Sequence, residues 1–151
     1  MNSVVSARNI FRGKIQTLEE GVVNAKLDIE LEGGEILVAV VTMDSVRALE
    51  LAPGRTVSAI VKAPWVMLMT SGEGDKAHLS ARNILPGTVK SVESGPVNAE
   101  VTLELAGGTE ITSIVTRDAV TALGLRPGAR ASAVIKASSV ILGVMPEDRV
   151  K

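Results

Sequence analysis

The chain has 151 residues, 46% of them hydrophobic, with a mean hydropathy of +0.30, a net charge of −1 and an isoelectric point near 5.9. This composition argues against disorder, against a helical membrane span, which needs an apolar run of roughly 18 residues, and against a basic duplex-binding surface. One Phe, one Trp and no Tyr leave almost nothing for single-stranded nucleic acid to stack on, and the lack of cysteine removes disulfides and thiolate metal sites.

Arg8 and Arg12 interrupt the first apolar stretch, so no secretory signal is expected and a cytoplasmic location is the default. The stretch "SARNI" at residues 6–10 returns unchanged at 80–84. Sliding the sequence on itself by 74 residues aligns 6–68 with 80–142 without a gap, and about 30 of the 63 pairs are identical. A tandem duplication of a unit near 70 residues explains this, joined by the Gly-rich, charged stretch from Thr70 to His78.

Within each unit the expected elements run in one order. An opening strand covers Ile10 to Leu18, and its extended approach puts Ser6 and Arg8 on one face. Val23 to Leu31 then alternates apolar and polar residues with a period of two, as do 97–105 in the second copy. Gly33-Gly34 and Gly107-Gly108 follow as hairpin turns, leading into apolar strands at Ile36 to Val41 and Ile111 to Val115. A short helix fits "TMDSVRAL", with Thr42 as its N-cap, Asp44 in the first turn and Pro53-Gly54 beyond its end. Strands at Val57 to Val61 and Val66 to Met69 close the unit. The fold class is therefore all-β with short helices, as tandem OB-like β-barrels. A unit this small supplies roughly 3–5 kcal/mol of net stability, so tight docking, strand exchange between units or oligomerisation is expected.

Catalytic constellations are missing. The one histidine, His78, falls in the linker, and "SGEGDK" lacks the spacing and the Gly-Lys-Ser/Thr ending of a phosphate loop. The carboxylates kept in both copies, Glu19/Glu93, Glu30/Glu104 and Asp44/Asp118, suit structural duty, and no enzyme is expected. The retained polar set is richer in donors: Ser6/Ser80, Arg8/Arg82, Asn9/Asn83, Asn24/Asn98, Thr42/Thr116, Ser58/Ser132 and Lys62/Lys136. Hydroxyl and amide donors with two cations per unit are what a dehydrated small oxyanion requires. Each residue also has a structural reading: Arg8 in a surface ion pair, Lys62 as a solvated strand end, Thr42 as a cap. Spacing alone leaves both readings open.

The order "SARN-x-x-x-G", "G-x-V-x-A", a "GG" turn, "T-x-D-S-V" and "A-x-[IV]-K-A" resembles the molybdate-binding Mop domain, and two such units resemble the two-lobed molbindins. The resemblance implies a first Mop domain at 1–70, a linker at 71–78, a second Mop domain at 79–145 and a tail at 146–151. It further implies a cytoplasmic homotrimer that stores molybdate, and tungstate also, between lobes or subunits without direct metal-to-protein ligation or any cofactor. The implied oxyanion contacts are Ser6, Arg8, Asn9, Thr42, Ser45, Lys62 and Ala63, and from the second copy Ser80, Arg82, Asn83, Thr116, Lys136 and Ala137. Ala63 and Ala137 would offer backbone donors, and Ala119 stands where the first lobe has Ser45, which removes one hydroxyl. A second class of site would lie near Asn24 and Asn98. Mop-like units also occur in molybdate-responsive regulators and transporter ATPases, an alternative role as a ligand-sensing subunit. No helix-turn-helix or Walker sequence accompanies them in this chain.

Overall fold

The structure is a computed structural model and describes residues 9–70 and 79–146. Its elements in chain order are β1 (Asn9–Glu20), β2 (Asn24–Leu31), β3 (Ile36–Thr42), α1 (Met43–Ala48), β4 (Thr56–Val61), a 3-10 turn (Ala63–Trp65) and β5 (Met67–Met69). The second copy gives β6 (Asn83–Ser94), β7 (Asn98–Leu105), β8 (Glu110–Thr116), α2 (Arg117–Leu123), β9 (Arg130–Ile135), a 3-10 turn (Ala137–Ser139) and β10 (Ile141–Gly143). The expected strands and helix are all present, and the 3-10 turns, too short to leave a periodic signal, are additions to them.

Each copy builds a five-stranded antiparallel sheet, but not from its own five strands. One sheet runs β10-β4-β1-β2-β3 and the other β5-β9-β6-β7-β8. The closing strand of each copy thus pairs with the other copy's fourth strand: Leu142 lies opposite Ala59, and Leu68 opposite Ala133. Among the described residues the two compact units are 9–61 with 136–146, and 62–70 with 79–135. Strand exchange, one of the three routes to stability expected for so small a unit, is the one the fold uses within the chain.

Each unit curls because its long first strand serves two neighbours. β1 pairs β4 through residues 9–14 and β2 through residues 13–20, with a bulge between Ile15 and Thr17 that increases the local twist. β6 repeats this with its bulge between Val89 and Ser91. The two edges of each sheet then approach one another, β10 near β3 and β5 near β8, which gives the OB-like barrel. The period-two pattern of β2 sends Ala25, Leu27, Ile29 and Leu31 inward, and Val101, Leu103 and Leu105 do the same in β7. The hairpin glycines behave as their chemistry demands: Gly34 and Gly108 take left-handed backbone at φ 93° and 92°.

The exchanged segments complete these cores. Ala137, Val140 and Leu142 are buried with the first copy's strands, and Ala63 and Val66 with the second's. Ser113 of β8, wholly buried, donates its hydroxyl to the Val66 carbonyl at 2.5 Å. The first copy has Ala39 at the equivalent position. That hydrogen bond satisfies a backbone acceptor in the exchanged segment of one unit only.

Candidate functional site

Two places in each unit gather the retained polar residues. The first is the open end of the ladder between the first and fourth strands, where Asn9 pairs with Val61 and Asn83 with Ile135. One residue further along the chain from these pairs stand Lys62 and Lys136, and Arg82 directly precedes Asn83. The asparagines are 2% exposed. Ser80, Arg82, Lys62 and Lys136 are exposed, while Ala63 and Ala137 are buried as the first residues of the 3-10 turns. Ser6 and Arg8 lie outside the described residues.

Lys62 is held by its own turn. The Trp65 amide donates to the Lys62 carbonyl at 2.9 Å, closing the 3-10 turn, and the Lys62 Nζ sits 5.4 Å from the centroid of the Trp65 ring. The second copy closes the same turn, with the Ser139 amide donating to the Lys136 carbonyl at 2.9 Å, but without an aromatic ring.

The second place is the start of each helix. Thr42 caps α1 by accepting from the Ser45 amide at 3.1 Å, and the two hydroxyls lie 2.9 Å apart. Thr116 accepts from the Ala119 amide at the same distance, without a partner hydroxyl. Asp44 pairs with Arg47 at 3.2 Å in the first turn, the structural duty expected of it. The capping role of Thr42 and its availability as a donor coexist, because one hydroxyl accepts and donates at once.

The β1–β2 and β6–β7 turns hold the remaining candidates. Asn24 and Asn98 are exposed, and their carbonyls accept from the Gly21 and Gly95 amides at 2.9 and 2.8 Å. Asn98 lines a cavity of about 420 Å³ with Glu93, Ser94, Gly95, Glu100 and Ile114. Thr116 lines another of about 390 Å³ with Pro96, Val97, Arg117, Asp118 and Thr121. Arg117 is a cation that retention between copies passes over, because the first copy has the buried Met43 in its place. Its signal is the reverse of the one searched for, a charge gained in one repeat only.

Among the described residues no cluster of His, Cys, Asp or Glu is suited to hold a metal ion, and no helix is long and apolar enough to cross a membrane. Alongside the carboxylates of Asp44, Glu93, Glu100 and Asp118, these places offer hydroxyls, amides and cations on a tandem of OB-like barrels. The chain belongs to the TOBE domain family, which matches it twice, at residues 5–68 and 79–142. It is similar in structure to the cytoplasmic molybdate-binding protein ModG, solved with molybdate bound: 65% identity, a TM-score of 0.87, 92% of this chain and 97% of that one. Among curated proteins it is 45% identical to the molybdenum transport protein ModE of Azotobacter vinelandii over 95% of this chain and 52% of that protein. It is 42% identical to the molybdenum-pterin-binding protein MopA of Rhodobacter capsulatus, over 92% of this chain and 52% of that protein. The chain thus spans about half the length of these curated relatives.

Proposed function

We propose that this chain binds molybdate, and tungstate as a dianion of the same shape, and serves as a cytoplasmic molybdenum store. The observation that carries the reading is the 65% identity to ModG across nearly the whole of both chains. The retained donor set agrees with it. A tetrahedral dianion leaving water loses a hydration shell that only charge-assisted hydrogen bonds replace. Ser6, Arg8, Thr42, Ser45 and Lys62, with Ser80, Arg82, Thr116 and Lys136, are the groups we assign to that task, with Asn24 and Asn98 at a second class of site. Asn9 and Asn83, buried at the ladder ends beside them, and Ala63 and Ala137, through their backbone, complete the assigned set. Assembly as a homotrimer belongs to the same reading, as does the division into domains at 1–70 and 79–145, with binding rather than catalysis as the activity.

Titration calorimetry of the full chain with sodium molybdate tests this, alongside the mass and molybdenum content of the purified oligomer. The Arg8→Ala/Arg82→Ala double variant is expected to lose about 2–4 kcal/mol of binding free energy at the affected sites, the effect of removing a buried charge partner. Unchanged stoichiometry and affinity in that variant would overturn the assignment. A second reading, a ligand-sensing module working within a larger molybdenum-responsive regulator or transporter, is favoured by the match to half of ModE. Recovery of a stable DNA-binding or ATPase partner with the tagged chain would select it.

A further inference from the structure

The two copies differ most sharply just after their retained lysines. The first reads Lys62-Ala-Pro-Trp65 and the second Lys136-Ala-Ser-Ser139. Both segments form the same 3-10 turn, closed by the same hydrogen bond from residue i+3 to residue i. Each lysine stands just before its turn with matching extended backbone, φ −69° and ψ 137° at Lys62 and φ −67° and ψ 135° at Lys136. The geometry that sets Trp65 against Lys62 is therefore present at Lys136 and Ser139, but with a hydroxyl where the ring would be. Pro64 stiffens the first turn further, since its ring fixes the backbone at the turn's start.

Trp65 is the only tryptophan in the chain, and 42% of its surface is exposed. An indole that does not fill the core needs another reason for its position. Here the ring face lies 5.4 Å from the ammonium of Lys62, within cation–π range. A lysine has a long, mobile stem, and ordering it costs entropy each time it engages an anion. A ring that already holds the ammonium removes part of that cost and leaves the opposite side of the ammonium open to an oxygen.

We propose that Trp65 is a positioning residue for Lys62, making the lysine half-site of the first copy bind an oxyanion more tightly than its counterpart at Lys136. The inference rests on the molybdate reading above and adds an inequality between the two copies that comes from outside the contact set. It needs no contact between the ring and the anion. Its signature is dependence on Lys62 and on the ring's π face, not on apolar bulk.

The test is calorimetric titration of the full chain with sodium molybdate, with Trp65 emission as a local reporter and thermal unfolding to confirm folding. Trp65→Leu keeps the bulk and removes the quadrupole; it is expected to weaken one class of sites about two- to fivefold at unchanged stoichiometry. Trp65→Phe is expected to lose less. In a Lys62→Gln background Trp65→Leu has no further effect, the mark of a coupled pair. Ser139→Trp, placed at the position that closes the turn on Lys136, strengthens the other class by a similar factor. Molybdate binding equal to wild type in Trp65→Leu, or the same loss with and without Lys62, would overturn the inference and leave the function standing. A wild-type chain that takes up no molybdate would remove the function and the inference together.

Discussion

Replacing Leu142 by alanine tests the exchange of strands directly. Leu142 lies in β10, at the far end of the second copy, yet its ladder partner is Ala59 of the first. It is 7% exposed, so the substitution removes nearly a whole buried side chain and opens a cavity. Leu-to-Ala changes cost about 2–5 kcal/mol, and a three-residue edge strand that can partly collapse falls at the lower end, about 2–3. A unit of this size holds roughly 3–5 kcal/mol in all. The variant should therefore bring the first copy's barrel close to its own unfolding threshold while leaving the other barrel's contacts intact.

Amide hydrogen exchange resolves where the loss appears. Protection is expected to fall in β4 and β1, residues 56–61 and 9–20, more than 70 positions from the substitution in sequence. Strands β6 and β9, which precede Leu142 in its own copy, should keep theirs. The reciprocal Leu68→Ala variant should spare β1 and β4 and weaken β9, its ladder partner, by a smaller amount because Leu68 is less buried. Loss confined to β6 and β9 in Leu142→Ala would refute the exchange. Equal loss from both sheets at every denaturant concentration would refute their separate stability.

Three further outcomes follow from particular side chains. Ser113→Ala leaves the Val66 carbonyl without its buried donor and is expected to lower stability by about 1–3 kcal/mol, read by chemical denaturation; no change would mean that the hydroxyl is dispensable. Glu50, the one non-glycine residue with positive φ (52°) among those described, occupies the position where the second copy has Gly124 at 64°. Glu50→Gly should raise stability by up to about 1 kcal/mol by relieving left-handed strain, and a drop in melting temperature would contradict that account. The hydrogen bond and charge of Glu110 raise the Lys90 pKa above its ordinary 10.5, so the folded chain holds that proton at pH values where the unfolded chain begins to lose it. The pair's contribution is complete below about 10.5 and disappears as pH rises through the folded value. The melting temperature of wild type should therefore fall faster above that pH than that of Glu110→Gln, and parallel curves would dismiss the pair.

Much of the fold was legible because its signals are local. The alternation in residues 23–31, the glycine pairs and the Thr42 cap each act within a few residues, and each appears where the pattern put it. The partner of each closing strand was not legible, because Met67–Met69 and Ile141–Gly143 carry the same apolar pattern and fit either barrel's edge. A three-residue strand lacks the information to choose; the choice belongs to connection geometry and to contacts such as Ser113 with Val66. The candidate site was legible only as far as retention between copies reaches. That criterion found Lys62 and Lys136 but was blind to Trp65 and Arg117, whose interest lies in what one copy has and the other lacks.

The same exchange bears on how the proposed site would stay duplicated. Lys62 and Lys136 sit where the chain leaves one compact unit for the other. A lysine there cannot drift without disturbing the start of the segment that completes the neighbouring core: Ala63 and Val66 in one direction, Ala137 and Val140 in the other. Packing therefore fixes the backbone under both cations to the same standard, and the 2.9 Å hydrogen bonds across both turns show the result. What remains adjustable is the outer part of each turn, where the first copy has Pro64 and Trp65 and the second has Ser138 and Ser139. Those are the positions at which two copies of one gene segment can acquire different affinities without either barrel losing its fold.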